Sequence, residues 1–254
     1  MTASTFHRSL SAMATRGLVI SDLHLLAKRS AGEFLLEGIK PQLERCDVLV
    51  LNGDTFDFRW STLRNETNSI KAAIKWLEDR LEMMEGRDLH FILGNHDCLR
   101  GFCKDLEPLL RRWSNFHLHE YSLRLGDQVF LHGDCANKKM DQAVLAIARK
   151  NWADDKPRGA LSATMYDMAD RTGLSLAFHR CYFPQAVTVS RVSHYLAAAS
   201  PGWRKQASDC YFGHTHIPFR DHHHEGIGFH NTGSGIHGMG FQPLEFKFDK
   251  QEEI

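Results

Sequence analysis

Five apolar segments of this chain each end in a cluster of polar residues, and this repetition constrains the fold more than any other feature. The clusters are Asp22-Leu23-His24, Gly53-Asp54-Thr55-Phe56-Asp57, Gly94-Asn95-His96-Asp97, His132-Gly133-Asp134 and Gly213-His214-Thr215-His216. The segments before them are short and apolar enough to be buried strands. Because ligands bind at strand ends in α/β sheets, the pattern favours a fold that gathers these ends.

The secondary-structure pattern changes along the chain. Strands are predicted at 17–20, 47–51 and 89–93, alternating with helices at 30–45, 65–84 and 102–113, the first helix opening on a Ser30-x-x-Glu33 capping box. The remainder is predicted as an extended segment at 115–118, a hairpin at 121–131, a helical region at 136–208 and strands at 210–212, 217–220, 227–231 and 244–248. His222-His223-His224 is expected in a solvated turn. Early βαβ alternation followed by hairpins predicts an α/β or α+β chain with a mixed sheet covered by helices.

Composition removes several classes of protein. With 254 residues, 43% hydrophobic and 24% charged, the chain has the make-up of a folded domain rather than a disordered one. No apolar run approaches the ~18 residues of a membrane span. Residues 1–16 lack the apolar core of a secretory signal and are expected to form a flexible tail before a domain at 17–254. Six cysteines without a C-x-x-C pair favour a reduced, cytoplasmic protein.

Each polar cluster is weak by itself, because aspartates commonly cap loops and glycines commonly make turns. Gly213-His214-Thr215-His216 is stronger, since residues i and i+2 of an extended chain point the same way. Taken in order, the five clusters resemble the calcineurin-like metallophosphoesterase superfamily, whose pattern is D-x-H, G-D-x-x-D, G-N-H-D/E, H and G-H-x-H. The resemblance spans Asp22 to His216 and implies a four-layer sandwich, two mixed β-sheets flanked by helices.

The same resemblance implies a centre of two divalent metal ions. One ion would be held by Asp22, His24 and His216, the other by Asn95, His132 and His214, with Asp54 bridging both. Mixed carboxylate, amide and imidazole ligands favour Mn(II), with Fe or Zn as alternatives. When the negative charges of two carboxylates and a hydroxide are subtracted from the positive charges of two divalent ions, the centre has a net charge of about +1. A positive centre of this kind binds phosphate.

The resemblance also implies roles beside the metals. His96 matches the catalytic histidine, Asp97 would orient it, and Asp57 and Asp134 would fix ligating side chains; for Asp97 and Asp134, loop capping is the alternative. The segment 231–234 would lie at the floor of the site. The implied activity is hydrolysis of a phosphoester or pyrophosphate by a metal-bound hydroxide, and the alternative is a non-catalytic metal-binding scaffold.

The chain has no net charge, but its basic and acidic residues are unevenly distributed along the sequence. Residues 136–208 hold 11 basic and 5 acidic residues, a balance of +6, and the rest of the chain holds 20 and 26, a balance of −6. The insertion is either a helical subdomain with a solvated basic face or a lid that presents charge and aromatic surface beside the metals.

A helical insertion at this point of the motif order resembles the UDP-2,3-diacylglucosamine diphosphatases of lipid A synthesis. Those enzymes carry arginine where this chain has His96. The implied substrate is a phosphorylated small molecule or a lipid-linked phosphate, with a peripheral contact to the inner face of a membrane through 136–208 left open. The acidic remainder of the chain gives no strong case for nucleic acid.

Overall fold

The computed structural model describes residues 14–249. Its strands are Thr15–Ile20 (β1), Val48–Asn52 (β2), Asp88–Ile92 (β3), Phe116–His119 (β4), Ser122–Leu125 (β5), Gln128–Leu131 (β6), Asp209–Phe212 (β7), Phe219–His224 (β8), Ile227–Asn231 (β9) and Leu244–Phe248 (β10). Its α-helices are Gly32–Gly38 (α1), Lys40–Arg45 (α2), Glu66–Met83 (α3), Arg100–Arg112 (α4), Gln142–Ala153 (α5), Ala160–Arg171 (α6), Leu174–Tyr182 (α7) and Gln185–Ala199 (α8). Two 3₁₀ turns lie at Asp134–Ala136 and Trp203–Lys205.

The strands form two mixed sheets. The first has the order β10-β1-β2-β3-β4, and the second has the order β5-β6-β7-β9-β8. Strands β1 to β4 are parallel to one another, as are β6, β7 and β9, while β10, β5 and β8 are antiparallel to their neighbours. Parallel strands end at one edge of their sheet, so each sheet delivers the loops that follow its central strands to a common edge.

The two sheets pack face to face and helices cover their outer sides. An apolar cluster that includes Val50 and Ile92 from the first sheet and Phe130 and Tyr211 from the second lies between them. Helices α1 to α4 contribute to a second cluster outside the first sheet, and α5 and α8 to a third outside the second. Strand β2 has all five residues buried, as expected for a parallel strand covered on both faces. The predicted four-layer sandwich is confirmed.

The boundaries of three predicted elements change. Strand β1 begins at Thr15, which pairs with Phe248, so residues 15 and 16 belong to the sheet rather than to the predicted tail. Residues 1–13 of that tail lie outside the described part of the chain. The histidine run 222–224 lies in β8, and the turn follows it at 225–226.

The predicted helix at 30–45 is two helices without a capping box. Ala31 is the N-cap of α1 and no side chain caps the helix. Ser30 Oγ accepts from Gly32 N at 3.0 Å, but the Glu33 carboxylate accepts from Trp76 Nε1 at 2.7 Å instead of returning to the helix start. Pro41 lies in the first turn of α2, because proline has no N–H to continue the hydrogen bonds of α1.

The region between β6 and β7 is helical, as predicted, and contains α5 to α8. Its outer surface carries large apolar side chains that are about half or more exposed: Ile147, Met165, Tyr166, Met168, Leu174, Phe178 and Tyr182. Within residues 14–249, no helix is both long and apolar enough to cross a membrane.

Candidate metal centre

Every predicted metal ligand lies at or just beyond the carboxyl end of a strand. Asp22, Asp54 and Asn95 follow β1, β2 and β3, and His132 and His214 follow β6 and β7. The edges of the two sheets meet here, so ligands as distant in the sequence as Asp22 and His216 become neighbours. Among them, His24, Asp22, Asp54 and His132 are 1% exposed or less.

A first group of ligand atoms consists of Asp22, His24 and His216, whose donor atoms all lie within 4.8 Å of one another. The Nε2 atoms of His24 and His216 are 3.2 Å apart, and His216 Nε2 is 3.2 Å from Asp22 Oδ1. Two imidazole nitrogens and a carboxylate oxygen therefore face one point.

A second group surrounds Asp54. His132 Nε2 lies 3.3 Å from Asp54 Oδ2, 3.2 Å from Asn95 Oδ1 and 3.2 Å from His214 Nδ1. Asp54 Oδ2 is also 3.9 Å from His24 Nε2 in the first group. Asp54 thus lies between the two groups, which is the position that a bridging ligand requires.

The outer nitrogens of two ligand rings face oxygen atoms, so in the neutral rings the inner nitrogens are available to bind metal. His24 Nδ1 lies 3.4 Å from Asp57 Oδ2, and His132 Nδ1 lies 3.4 Å from Asn52 O, so each outer nitrogen faces an acceptor. Lone pairs that converge on one point repel each other unless a cation lies between them. The donor set of oxygen and imidazole nitrogen atoms therefore fits two divalent ions.

The backbone at this centre is strained. Left-handed φ angles occur at Asp22 (53°), His24 (48°), Asp54 (51°), His214 (63°) and His216 (58°). Such conformations cost a non-glycine residue about 1–3 kcal/mol and concentrate at functional sites. Two glycines have no room for a side chain: a Cβ at Gly94 would lie 2.1 Å from Asp54 Oδ1, and one at Gly213 would lie 2.1 Å from Asp22 Oδ2.

The electrostatics favour the metal-binding protonation state at Asp54, His214 and His216, and oppose it at His132. Burial alone would lower the pKa of His132, but Asp54 outweighs it and raises that pKa to about 10, so His132 must release a proton to bind an ion. Burial, with the nearby His132, lowers the pKa of His214 to about 3. Burial also lowers the pKa of His216 well below its usual range. Burial alone would raise the pKa of Asp54, but His132 and His96 outweigh it and hold that pKa well below its ordinary value. Neutral imidazoles and an ionised carboxylate are the metal-binding forms of these groups.

His96 lies beside the two ligand groups. Its Nδ1 is 3.0 Å from Asp57 Oδ1, and its ring packs edge-on to His24 with centroids 4.9 Å apart. Asp57 also accepts from Arg29 Nη2 at 3.1 Å and from Trp60 N at 3.1 Å. Asp57 therefore fixes both a ligand, His24, and the histidine that the motif order marks as catalytic.

The Asp97 carboxylate forms the hydrogen bonds of the loop-capping alternative, and the hydrogen bonds of Asp134 go to a partner that the sequence did not predict. The Asp97 carboxylate accepts from the backbone N–H groups of Thr55, Phe56 and Gly94, rather than from His96, and so joins two site loops. The hydrogen bonds of the Asp134 carboxylate go to Arg149 rather than to a ligand. Its oxygens accept from Arg149 at 2.8 and 2.9 Å in a buried bidentate pair, because Arg149 on α5 reaches under the turn that follows β6.

The segment after β9 supports the floor of the site. Asn231 Nδ2 donates to Gly213 O at 2.9 Å, Thr232 Oγ1 lies 2.5 Å from Ser21 Oγ, and Ser234 Oγ donates to Asp22 O at 3.0 Å. His230 is not part of this floor, because its Nε2 bonds Asp209 at the far end of β7.

The helices between β6 and β7 contribute contacts that the motifs do not reveal. Trp152 packs on His96 with ring centroids 4.8 Å apart, and His179 stacks on His216 at 4.6 Å. Arg29 links Asp57 to Asp170 of α6, with its Nη1 3.7 Å from the Asp170 carboxylate. No sequence motif identifies these residues, since their partners are distant in the chain.

Comparison with known proteins agrees with this site. The family model of calcineurin-like phosphoesterases matches residues 15–218, and the chain belongs to that family. It is a metal-dependent phosphoesterase, a hydrolase whose His and Asp groups form a dinuclear divalent metal site.

Two solved structures illustrate what the chain is similar to. One is a phosphopantetheinyl hydrolase from Mycobacterium tuberculosis, 15% identical, with 88% of this chain and 91% of that chain covered and a TM-score of 0.42. The other is a dimetal phosphatase from Danio rerio, 11% identical, with 92% of both chains covered and a TM-score of 0.47. Comparison with curated protein sequences found no match.

Proposed function

We propose that this protein hydrolyses a phosphoester or pyrophosphate bond of a phosphorylated substrate, with water as the attacking group. The observation that carries the proposal is the convergence of seven donor side chains into two groups that share Asp54. His96 lies directly beside these two groups, with its Nδ1 3.0 Å from Asp57 Oδ1, and belongs to neither of them.

We infer that the ions are Mn²⁺, with Fe and Zn as alternatives, because the donor set mixes carboxylate, amide and imidazole groups. When bound, two such ions supply positive charge for the phosphate oxygens and lower the pKa of water.

The protein's own groups complete the chemistry. With Nδ1 held by Asp57, the His96 ring has its Nε2 available to donate a hydrogen bond or a proton to the leaving oxygen. Asp57 and Asp54 raise the pKa of His96 although burial opposes them, so the protonated donor persists to higher pH. Trp152, with Arg59 stacked over its ring 3.9 Å from the centroid, packs against the His96 ring.

The insertion supports a substrate with an apolar portion. Phe183 lies 5.8 Å from the His214 ring, Tyr182 lies 4.8 Å from Phe183, and Phe178 stacks on Tyr182 at 5.4 Å. This aromatic row leads from a metal ligand to the surface, where Phe178 is 59% exposed. A substrate could place its phosphate at the metal site and its apolar group along the aromatic row.

A lipid pyrophosphate such as UDP-2,3-diacylglucosamine is the more specific candidate. The helical insertion and its exposed apolar residues favour it, and a peripheral membrane contact on the cytoplasmic side would follow from the same surface. His96 in place of arginine argues instead for a broader range of phosphate esters.

The test is ³¹P NMR of the Mn-loaded protein with a phosphomonoester, a phosphodiester, a nucleotide sugar and UDP-2,3-diacylglucosamine. Loss of the lipid pyrophosphate signal alone supports the lipid reading, and faster loss of the simple esters supports a general phosphoesterase. If the protein binds two ions but hydrolyses none of these four compounds, the proposed reaction is contradicted.

The aromatic row is tested separately by Phe178→Ser with Tyr182→Ser, since both side chains are half or more exposed. We expect this variant to raise the KM of an acylated substrate and to lower vesicle co-sedimentation, with little change for a small ester. Phe34→Ser is the matched control, because Phe34 is 80% exposed and lies on α1. Equal effects of the two variants would contradict a role for the row.

A further inference from the structure

The outer nitrogen of one metal ligand is bonded to a residue that no motif marks. His214 Nε2 lies 2.9 Å from Asn137 Oδ1, while His214 Nδ1 lies 3.2 Å from His132 Nε2 in the second ligand group. Asn137 follows the 3₁₀ turn Asp134–Ala136, at the start of the region between β6 and β7.

This hydrogen bond decides which tautomer His214 adopts. An amide oxygen only accepts, so His214 must place its proton on Nε2 and leave the Nδ1 lone pair facing His132 and Asp54. The opposite tautomer would direct an N–H at the point where the ion binds. A partner on the outer nitrogen also fixes the plane of the ring, which sets the direction of the metal-facing lone pair.

The insertion in turn holds Asn137 in place. Arg191 of α8 donates from Nη1 to Ala136 O at 2.8 Å and to Asn137 O at 3.1 Å. The Asn137 backbone is therefore anchored from the insertion, although its side chain is exposed to solvent. A chain of contacts runs from α8 through Asn137 to His214.

We propose that Asn137 is a positioning residue for the second metal ion, holding His214 in its Nδ1-ligating form, and that Arg191 supports it from α8. This inference rests on the proposed dinuclear centre. It gives the insertion a task in metal binding that is separate from any contact with substrate.

The experiment is a Mn²⁺ titration of the metal-free full chain, followed by the EPR signal of free Mn²⁺. Asn137→Leu removes the acceptor at similar size, and we expect it to weaken one of two binding constants by about 10-fold, the lower end of the effect of such partners. The other constant should be unchanged, because Asp22, His24 and His216 do not contact Asn137.

Two further variants separate positioning from general damage. Asn137→Asp keeps an acceptor oxygen and should bind both ions at least as tightly as the wild type. Asn151→Ala, at an exposed position of α5, is the matched control and should change neither constant. Arg191→Ala should weaken the same constant as Asn137→Leu, by a smaller factor.

Three results would overturn the inference: two unchanged constants in Asn137→Leu, an equal loss in both constants, or a loss in Asn137→Asp as large as that in Asn137→Leu. Failure of the wild-type protein to bind two ions would instead refute the dinuclear centre itself. The two failures are therefore distinguishable.

Discussion

The buried pair of Asp134 and Arg149 gives a prediction whose size can be worked from the structure. Arg149 is 6% exposed and Asp134 is 4% exposed, and their two hydrogen bonds are 2.8 and 2.9 Å long. Arg149 also donates to Glu120 O, so it joins α5 to the end of β4. Replacing Asp134 with asparagine leaves the guanidinium buried with no counter-charge.

Breaking a buried pair in this way costs about 3–5 kcal/mol of unfolding free energy. For a domain of this size each kcal/mol shifts the melting temperature by about 2–4 °C, so Asp134→Asn should melt about 6–20 °C lower. The assay is thermal unfolding followed by circular dichroism, with the metal content of each sample matched. Because buried pairs are often replaceable by apolar residues, Asp134→Leu with Arg149→Met should recover most of that loss.

The dependence on pH has a definite sign. Burial alone would raise the pKa of Asp134, but Arg149 outweighs it and holds that pKa below the ordinary 3.8. The pair therefore stabilises the fold above pH 3.8, and its contribution is lost as the pH falls through the lowered pKa. The difference in melting temperature between the wild type and Asp134→Asn should therefore become smaller in acid. A melting temperature within about 1 °C of wild type at pH 7 would refute the reasoning, since a broken buried pair costs several kcal/mol.

Three other predictions concern the site. His96→Ala should keep both ions and lose ~10²–10⁴ in kcat, the range for general acid–base groups; normal turnover would remove His96 from the mechanism. Asp54→Ala should lose metal, because Asp54 lies between both groups, and two full equivalents by mass spectrometry would contradict the bridging role. Gly94→Ala should weaken metal binding without changing the secondary structure, because the added Cβ would lie 2.1 Å from Asp54 Oδ1. An unchanged metal affinity would contradict this prediction and show that the loop can move to accept the side chain.

The ligand set was predicted from the resemblance of the five motifs to the calcineurin-like pattern, and the fold explains why these motifs come together. Each lies at the end of an apolar strand, and parallel strands end at one edge, so the motif order was enough to bring Asp22, Asp54 and Asn95 together. The family resemblance assigned His132 and His214 to one ion, and the parallel strands β6 and β7 bring His132 Nε2 and His214 Nδ1 to 3.2 Å.

The sequence did not predict the hydrogen-bond partners of Asp97 and Asp134, although it placed Asp57 beside a ligand. Asp97 is next to His96 in the chain, yet the turn directs its side chain to the N–H groups of Thr55 and Phe56. Asp57 reaches His96 from 39 positions away. Adjacent residues diverge where φ and ψ change sharply, so proximity in sequence predicts little about side-chain partners in these loops.

The sequence also could not predict the contacts that the insertion makes with the candidate site. The pattern of 136–208 indicates helices and a basic surplus, but Asn137, Trp152 and His179 reach the site only through the packing of α5, α7 and α8. Helical periodicity identifies which face is buried, and it does not identify which partner covers that face.

The most direct test of the central claim is the activity of metal-free protein as Mn²⁺ is added, measured as hydrolysis of a simple phosphate ester. Two ligand groups sharing Asp54 predict that activity rises until two equivalents are bound and then stays constant, and that His214→Ala, which binds one ion, remains inactive. Full activity in the metal-free protein, or at one bound equivalent, would contradict a dinuclear phosphoesterase.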